Sequence, residues 1–200
     1  MMRFNSVVFC LLFSVCVQAQ QTKEYYENTK VVKAEGTLVN GKHEGLWKSY
    51  FYSGAIEAEE HFTNNLFNGS VIHYHPNGKI SLQGNYVNGR EEGDWKEFYN
   101  NGQPTVQAIF KDGKRNGVYK EFYSNGKLSI DGIYKLDVKD GIWKEYFPNG
   151  QIKIDGIYDL GARKGAWKEY YANGTLYHSA NYVNGKIEGS VVWNHVTGKP

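Results

Sequence analysis

Seven glycines, Gly45, Gly69, Gly93, Gly117, Gly141, Gly165 and Gly189, stand 24 residues apart without a slip. A fixed period of this length marks a repeat architecture, in which each unit buries its apolar face against its neighbours and does not stand alone. Counted from each glycine as position zero, position two is Trp47, Val71, Trp95, Tyr119, Trp143, Trp167 and Val191. Position five is an aromatic residue in six units, Tyr50, Tyr74, Phe98, Phe122, Tyr146 and Tyr170. With 16% aromatic residues and 16 Tyr, the chain is rich in side chains that suit a pleated, half-buried surface.

Positions eight and nine are Asn-Gly in five units: Asn77-Gly78, Asn101-Gly102, Asn125-Gly126, Asn149-Gly150 and Asn173-Gly174. The first unit has Ser53-Gly54 there and the last Thr197-Gly198. Asn-Gly accepts positive φ at both centres of a type I′ turn, whose twist matches the strands it joins. After each turn the chain alternates with period two, as in Leu128, Ile130, Gly132 and Tyr134 against Lys127, Ser129, Asp131 and Ile133, the signature of a strand with two different faces. A second turn signal, at Asn40-Gly41, Asn88-Gly89, Asp112-Gly113 and Asn184-Gly185, leads into the next unit, while connections such as Leu136 to Asp140 look less regular. The expected fold is all-β: an elongated, twisted, single antiparallel meander of about seven stacked 24-residue hairpins.

If positions eight and nine are the two loop residues, opposed positions sum to seventeen. Trp143 then meets Gly156, Tyr119 meets Gly132, and Trp95 and Trp167 meet Ala108 and Ala180, a ring beside a minimal side chain each time. Gly156→Val is accordingly expected to force Trp143 off its neighbour. Trp47 opposite Glu60 breaks the pattern. Lys120 opposite Asp131 and Lys144 opposite Asp155 fall on the other face. Glu97, Glu121, Glu145 and Glu169, at position four, land on the apolar face under strict alternation; either a bulge rotates them outward or that face is partly wet.

The N-terminus carries one early cation, Arg3, an apolar run from Val7 to Val17 and then Val17-Gln18-Ala19, which reads as a secretory signal, residues 1–19, cleaved after Ala19. The run is too short for a permanent membrane anchor, and no second hydrophobic stretch follows. Residues 20–44 read as a degenerate N-terminal cap and 45–200 as the repeat domain. The formal charge of +2 falls to +1 without Arg3 and offers no electrostatic reason to expect nucleic acid. Both cysteines, Cys10 and Cys16, lie inside the signal, so no disulfide is expected in the exported chain.

His73 and His75 have the two-residue spacing of paired metal ligands on a strand but lack a third ligand; His75 stands where other units have Tyr99 or Tyr123. No Ser-His-Asp or Cys-His set can be assembled, and neither an enzyme nor a cofactor or metal is expected. The candidate interaction surface is the row Tyr50, Tyr74, Phe98, Phe122, Tyr146 and Tyr170, sharing its face with Lys48, Lys96, Lys120, Lys144 and Lys168. Alternate strands lie about 9–10 Å apart, so the rings form a ladder flanked by ammonium groups, which suits binding and equally suits shielding of the sheet.

At Gly141-Ile142-Trp143-Lys144-Glu145-Tyr146-Phe147-Pro148-Asn149-Gly150, at its counterparts from Gly93 and Gly165, and through Tyr182-Val183-Asn184-Gly185-Lys186-Ile187-Glu188-Gly189, the chain resembles the MORN-repeat family, specifically the bacterial variant repeat of antitoxin-like proteins. The resemblance covers roughly residues 21 to 200. It implies a sheet of stacked hairpins in a family of scaffolding, protein-binding and membrane-associated proteins, and it carries no catalytic residue. A secretory signal departs from an antitoxin label, because an intracellular toxin is neutralised in the cytoplasm. The expected function is an exported, non-enzymatic scaffold, periplasmic, envelope-associated or secreted, that binds protein or envelope partners through the aromatic and Lys face. The alternatives are peripheral binding of anionic lipid and neutralisation of a secreted or envelope partner.

Overall fold

The computed structural model describes residues 18–197. The expected signal lies outside the described residues except for Gln18 and Ala19, and the Thr197-Gly198 turn lies only half within them. The described residues form sixteen strands: β1 (Ala19–Tyr25), β2 (Val32–Val39), β3 (Lys42–Tyr50), β4 (Ile56–Thr63), β5 (Leu66–Tyr74), β6 (Ile80–Val87), β7 (Arg90–Glu91), β8 (Gly93–Phe98), β9 (Pro104–Lys111), β10 (Lys114–Phe122), β11 (Leu128–Lys135), β12 (Val138–Tyr146), β13 (Ile152–Asp159), β14 (Ala162–Tyr170), β15 (Leu176–Val183) and β16 (Lys186–Trp193). They make one open antiparallel sheet in strict chain order, with β7 and β8 together taking the place of one strand beside β6. The fold is the all-β meander expected from the repeat.

The loops at positions eight and nine are not the type I′ turns expected from Asn-Gly. At positions eight and nine, Asn149 keeps an ordinary negative φ while Gly150 stands at 92°, with Gly150 N–H donating to Phe147 C=O and Phe147 N–H to Gln151 C=O, each at 2.8 Å. This is a three-residue loop with a left-handed glycine, and it recurs at Gly78, Gly102, Gly126 and Gly174. The type I′ geometry instead belongs to the connections between units. Asn88 and Gly89 have φ of 49° and 78°, and Leu136 and Asp137, which looked irregular in the sequence, have 53° and 68°.

The three-residue loop offsets the pairing near the turn, so that Tyr146 faces Ile152, and a bulge at Lys153 restores it, so that Glu145 faces Ile154 and Trp143 faces Gly156. Pairs therefore sum to seventeen from position zero to four but not beyond. The pairing between units is shifted more strongly. Tyr134 faces Lys139 and Gly132 faces Trp143, which sets three residues of β12 against one of β11. The repeat glycines sit in these bulges, all seven with φ between 66° and 139°. A side chain with a Cβ is strained there, which is the physical reason the 24-residue mark is always Gly.

The core is a single layer on one side of the sheet. Trp47, Val71, Trp95, Tyr119, Trp143 and Trp167 are buried there, along with Ala58, Ala108, Ala180, Tyr134 and Tyr182. The position-two ring pairs in register with the residue the sequence assigned, but it leans the other way. A Cβ built on Gly132 would lie 2.2 Å from the Trp143 ring, and one on Gly156 would lie 2.3 Å from Trp167 rather than against Trp143. Gly36 and Gly84 are covered by Trp47 and Trp95 in the same manner. Each indole thus lies on the glycine eleven residues upstream, in the preceding unit. This accounts for Trp47 opposite Glu60: its packing partner is Gly36.

Candidate functional site

Directly paired residues project to the same side, so the register divides the surface into two faces. On the aromatic face the rings make edge-to-face contacts along the sheet. Tyr119–Tyr134, Tyr134–Trp143, Trp143–Tyr158, Tyr158–Trp167 and Trp167–Tyr182 have centroids 5.1, 5.6, 5.9, 4.9 and 6.2 Å apart. Position minus two lies over this ladder: Lys139 Nζ is 3.8 Å from the Trp143 ring centre, Arg163 is 4.3 Å from that of Trp167 and Arg115 is 4.0 Å from that of Tyr134, while His43 stacks on Trp47 at 3.7 Å. Burial against these rings holds the Lys139 ammonium below the usual lysine range.

The position-four glutamates lie on this face, so of the two possibilities the partly wet face is the one observed. The Tyr119 hydroxyl donates to Glu121, Trp143 Nε1 donates to Glu145 at 3.2 Å, and Arg163 approaches Glu169 at 3.5 Å. Glu97 is exposed.

The opposite face, called here the lysine face, holds all the proposed interaction residues. Tyr50, Tyr74, Phe98, Phe122, Tyr146 and Tyr170 are each half-buried and paired with an aliphatic residue: Ile56, Ile80, Pro104, Leu128, Ile152 and Leu176. The bulges put those aliphatics there, where strict alternation had put Leu128 on the side of Ile130. Lys96, Lys120 and Lys144 are half-buried and Lys168 is exposed. Asp131 lies between Lys120 and Lys144, and Asp155 between Lys144 and Lys168.

The two ends of this face differ. Near β3 it is locked by ion pairs: Lys23–Glu35 at 2.8 Å, Lys48–Glu59 at 2.9 Å, and hydroxyl donations from Tyr50 to Glu35 and Tyr74 to Glu59. These partners hold the Glu35 and Glu59 carboxyls below the ordinary carboxylate range, and the Glu35 hydrogen bond pushes the Tyr50 phenol up to about 12. From β9 onward, none of Lys120, Lys144 and Lys168 takes part in an ion pair among the described residues. Beside them Val118, Ile133, Ile142 and Ile157 stand 45%, 41%, 57% and 46% exposed. Val118, Ile133 and Ile142 line one shallow depression of about 410 Å³ with Lys120, Lys144 and Tyr146, and Ile142, Ile157 and Ala166 line the next. The apolar row was missed in the sequence, although positions one and sixteen read Leu46-His61, Ser70-Asn85 and Asp94-Ile109 before turning apolar at Val118-Ile133 and Ile142-Ile157.

The two candidate metal ligands do not converge. His73 Nε2 lies 2.8 Å from Glu60 Oε1, and His75 Nε2 lies 2.8 Å from Phe98 C=O. His75 thereby takes the role of Tyr99 and Tyr123, whose hydroxyls donate to Phe122 C=O and Tyr146 C=O. The loop asparagines make parallel links: the side-chain amides of Asn77, Asn101, Asn125, Asn149 and Asn173 each donate to a backbone carbonyl 23 residues on. No group of three or more His, Cys, Asp or Glu able to hold a metal occurs among the described residues. No helix among them is long and apolar enough to cross a membrane.

The hairpins coincide with a known repeat. A family model described as MORN repeat variant matches residues 44–64, 67–88, 91–112, 115–136, 139–159 and 163–184. The chain belongs to the MORN-repeat family. Each matched segment is one hairpin together with its bulged glycine, from β3–β4 through β14–β15. MORN repeats are commonly protein- or lipid-binding modules, which agrees with a non-catalytic scaffold. No curated protein matches the chain.

Proposed function

We propose that this MORN-repeat protein is an exported, non-enzymatic scaffold that binds a protein partner of the cell envelope through the lysine face between β9 and β14. The observation that carries this reading is the coincidence, on the same six strands, of Val118, Ile133, Ile142 and Ile157 with three lysines free of ion pairs among the described residues and the rings of Phe122, Tyr146 and Tyr170. Six strands extend roughly 24 Å at about 4.8 Å a step, the width of a protein interface. Aromatic and aliphatic anchors supply contact area, and the lysines select orientation and speed association. Asp131 and Asp155 alternate with the lysines, a mixed pattern that suits a protein surface better than uniformly anionic lipid.

Export rests on the N-terminal sequence, and mass spectrometry of the mature N-terminus tests it: a chain starting at Gln20 supports it, and an intact Met1 in the cell opposes it. For binding, partners are captured from envelope extract with the wild type, with Phe122→Ala/Tyr146→Ala and with Ile142→Ser. Loss of a partner with both variants while the fold is kept supports the reading, and retention of every partner refutes it. Sedimentation with anionic vesicles that depends on Lys120, Lys144 and Lys168 would favour the peripheral lipid reading instead.

A further inference from the structure

The stacked cations of the aromatic face define a column at position minus two: His43, Phe67, Glu91, Arg115, Lys139, Arg163 and Ile187. In the units with Trp47, Tyr119, Trp143 and Trp167 at position two, the residue at minus two is a histidine or a cation placed over the rings. The unit from Gly93 is the exception. It has Trp95 and, where the other units with a position-two Trp have His43, Lys139 or Arg163, Glu91.

An open cleft of about 420 Å³ lies at this place, walled by Tyr86, Trp95, Phe110 and Tyr119, with Glu91 and Glu97 at its margin. Tyr86 meets Trp95 edge-on at 5.1 Å, and Phe110 meets it at 5.8 Å and 63°. The aromatic ladder is interrupted here. It runs from His43 to Phe110 and again from Tyr119 to Tyr182, with no ring contact between Phe110 and Tyr119 among the described residues. Neither Glu91 nor Glu97 is in an ion pair among the described residues, whereas Glu121, Glu145 and Glu169 are engaged by Tyr119, Trp143 and Arg163. Arg115, on the remaining wall, is held by Asp137 at 2.8 Å and lies over Tyr134. Trp95 is only 8% exposed, yet its Nε1 has no partner among the described residues, while Trp47 and Trp167 donate to the Thr37 and Ile157 carbonyls. The matching carbonyl, Asn85 C=O, accepts the Glu92 amide instead.

We infer that the cleft between β6 and β10 is a binding site for an organic cation on a slim stem, an alkylammonium or guanidinium group, which takes the place that Lys139 and Arg163 fill in later units. Rings hold such a cation by its attraction to their faces, and the two carboxylates compensate its charge. The cation belongs to a Lys or Arg side chain of a protein partner or to a free small amine. The site is on the opposite side of the sheet from the proposed protein-binding face and does not depend on that reading.

The test is an NMR titration of the full chain, following the Trp95 indole N–H, assigned with Trp95→Phe. The probes are Nα-acetyl-lysine amide, Nα-acetyl-arginine amide and tetramethylammonium chloride, with sodium chloride as the matched control. A saturable shift at Trp95 with any of the three organic cations supports the site; tighter binding of the amino-acid amides points to a protein side chain, and tighter binding of tetramethylammonium to a free amine. Glu91→Arg, which restores the internal cation, is expected to abolish the shift in a folded chain, and Glu91→Gln/Glu97→Gln to weaken binding at least tenfold. A Trp95 signal unmoved by all three, moved equally by sodium chloride, or titrating unchanged in both variants overturns the inference.

Discussion

The aromatic face and the lysine face are made by the same strands, yet they meet solvent in opposite ways. On the aromatic face each position-two indole lies on a glycine of the preceding unit, and those of Trp47, Trp143 and Trp167 are roofed by the residue at position minus two, so the sheet carries its own second layer and needs no packed helix or sheet. On the lysine face the rings pair only with one aliphatic neighbour, and beyond β9 an apolar row and unpaired ammonium groups remain open. A single-layer sheet thus splits its work, with stability concentrated on one side and contact surface on the other. That division can be broken by removing the roofed rings and sharpened by changes that leave them alone.

The largest loss is expected from Trp167→Ala, since Trp167 is 0% exposed and touches Gly156, Tyr158, Tyr182 and Arg163. A cost of about 3–5 kcal/mol in urea unfolding follows from loss of a buried indole. A comparable cost for Ile142→Ser on the lysine face would end the comparison, because an exposed substitution there belongs within about 0.5 kcal/mol.

Next in size is Gly156→Val, expected to destabilise by about 1–3 kcal/mol through overpacking. The ring displaced is Trp167, 2.3 Å from the new Cβ, and not Trp143. In a Trp167→Ala background the valine is therefore expected to cost much less. A double-mutant cycle showing that coupling to Trp143 instead would restore the partner assigned from hairpin register alone.

This correction marks where the sequence stops being readable by local rules. The meander, the strands and the register of Trp143 with Gly156 follow from turns close by in the chain. The lean of the ring does not, because it depends on side-chain direction and on a pairing between units displaced by two residues at each bulge. The signal was nevertheless present. Every position-two Trp has Gly eleven residues upstream, at Gly36, Gly84, Gly132 and Gly156, while Val71, Tyr119 and Val191 have Glu60, Ala108 and Ala180. The cleft beside Trp95 was legible in the same column-wise sense, as the one acid in a column that otherwise holds Arg115, Lys139, Arg163, His43, Phe67 and Ile187. The exposed row of Val118, Ile133, Ile142 and Ile157 needed the faces to be assigned first.

A smaller effect is expected from Asn125→Ala, at the edge shared by both faces. Asn125 keeps a negative φ, so its side chain is retained for hydrogen bonding: its amide reaches Pro148 C=O at 3.1 Å and its carbonyl accepts Lys127 N–H at 3.0 Å. Losing two exposed hydrogen bonds costs about 1 kcal/mol. Asn125→Asp keeps the acceptor and loses the donor, so chemical unfolding of the pair separates the link between units from the turn itself.

The smallest effect concerns the locked end of the lysine face and is read in pH. Tyr50 donates to Glu35 at 2.6 Å, and its phenol stands at about 12 in the folded chain against 10.0 without that environment. Between those values the folded state keeps a proton that the unfolded chain gives up. The contribution is therefore complete below pH 10 and is lost as the pH rises to about 12. Tyr74, Tyr119 and Tyr146 are shifted in the same direction, so the wild type loses stability steadily through this window. Tyr50→Phe has no phenol to ionise and is expected to lose less between pH 10 and 12, by an amount discounted for solvent screening because Tyr50 is only half-buried. Equal slopes for the two proteins would mean that the hydroxyl ionises as freely folded as unfolded, and the ion-paired end near β3 would then be as open as the end beyond β9.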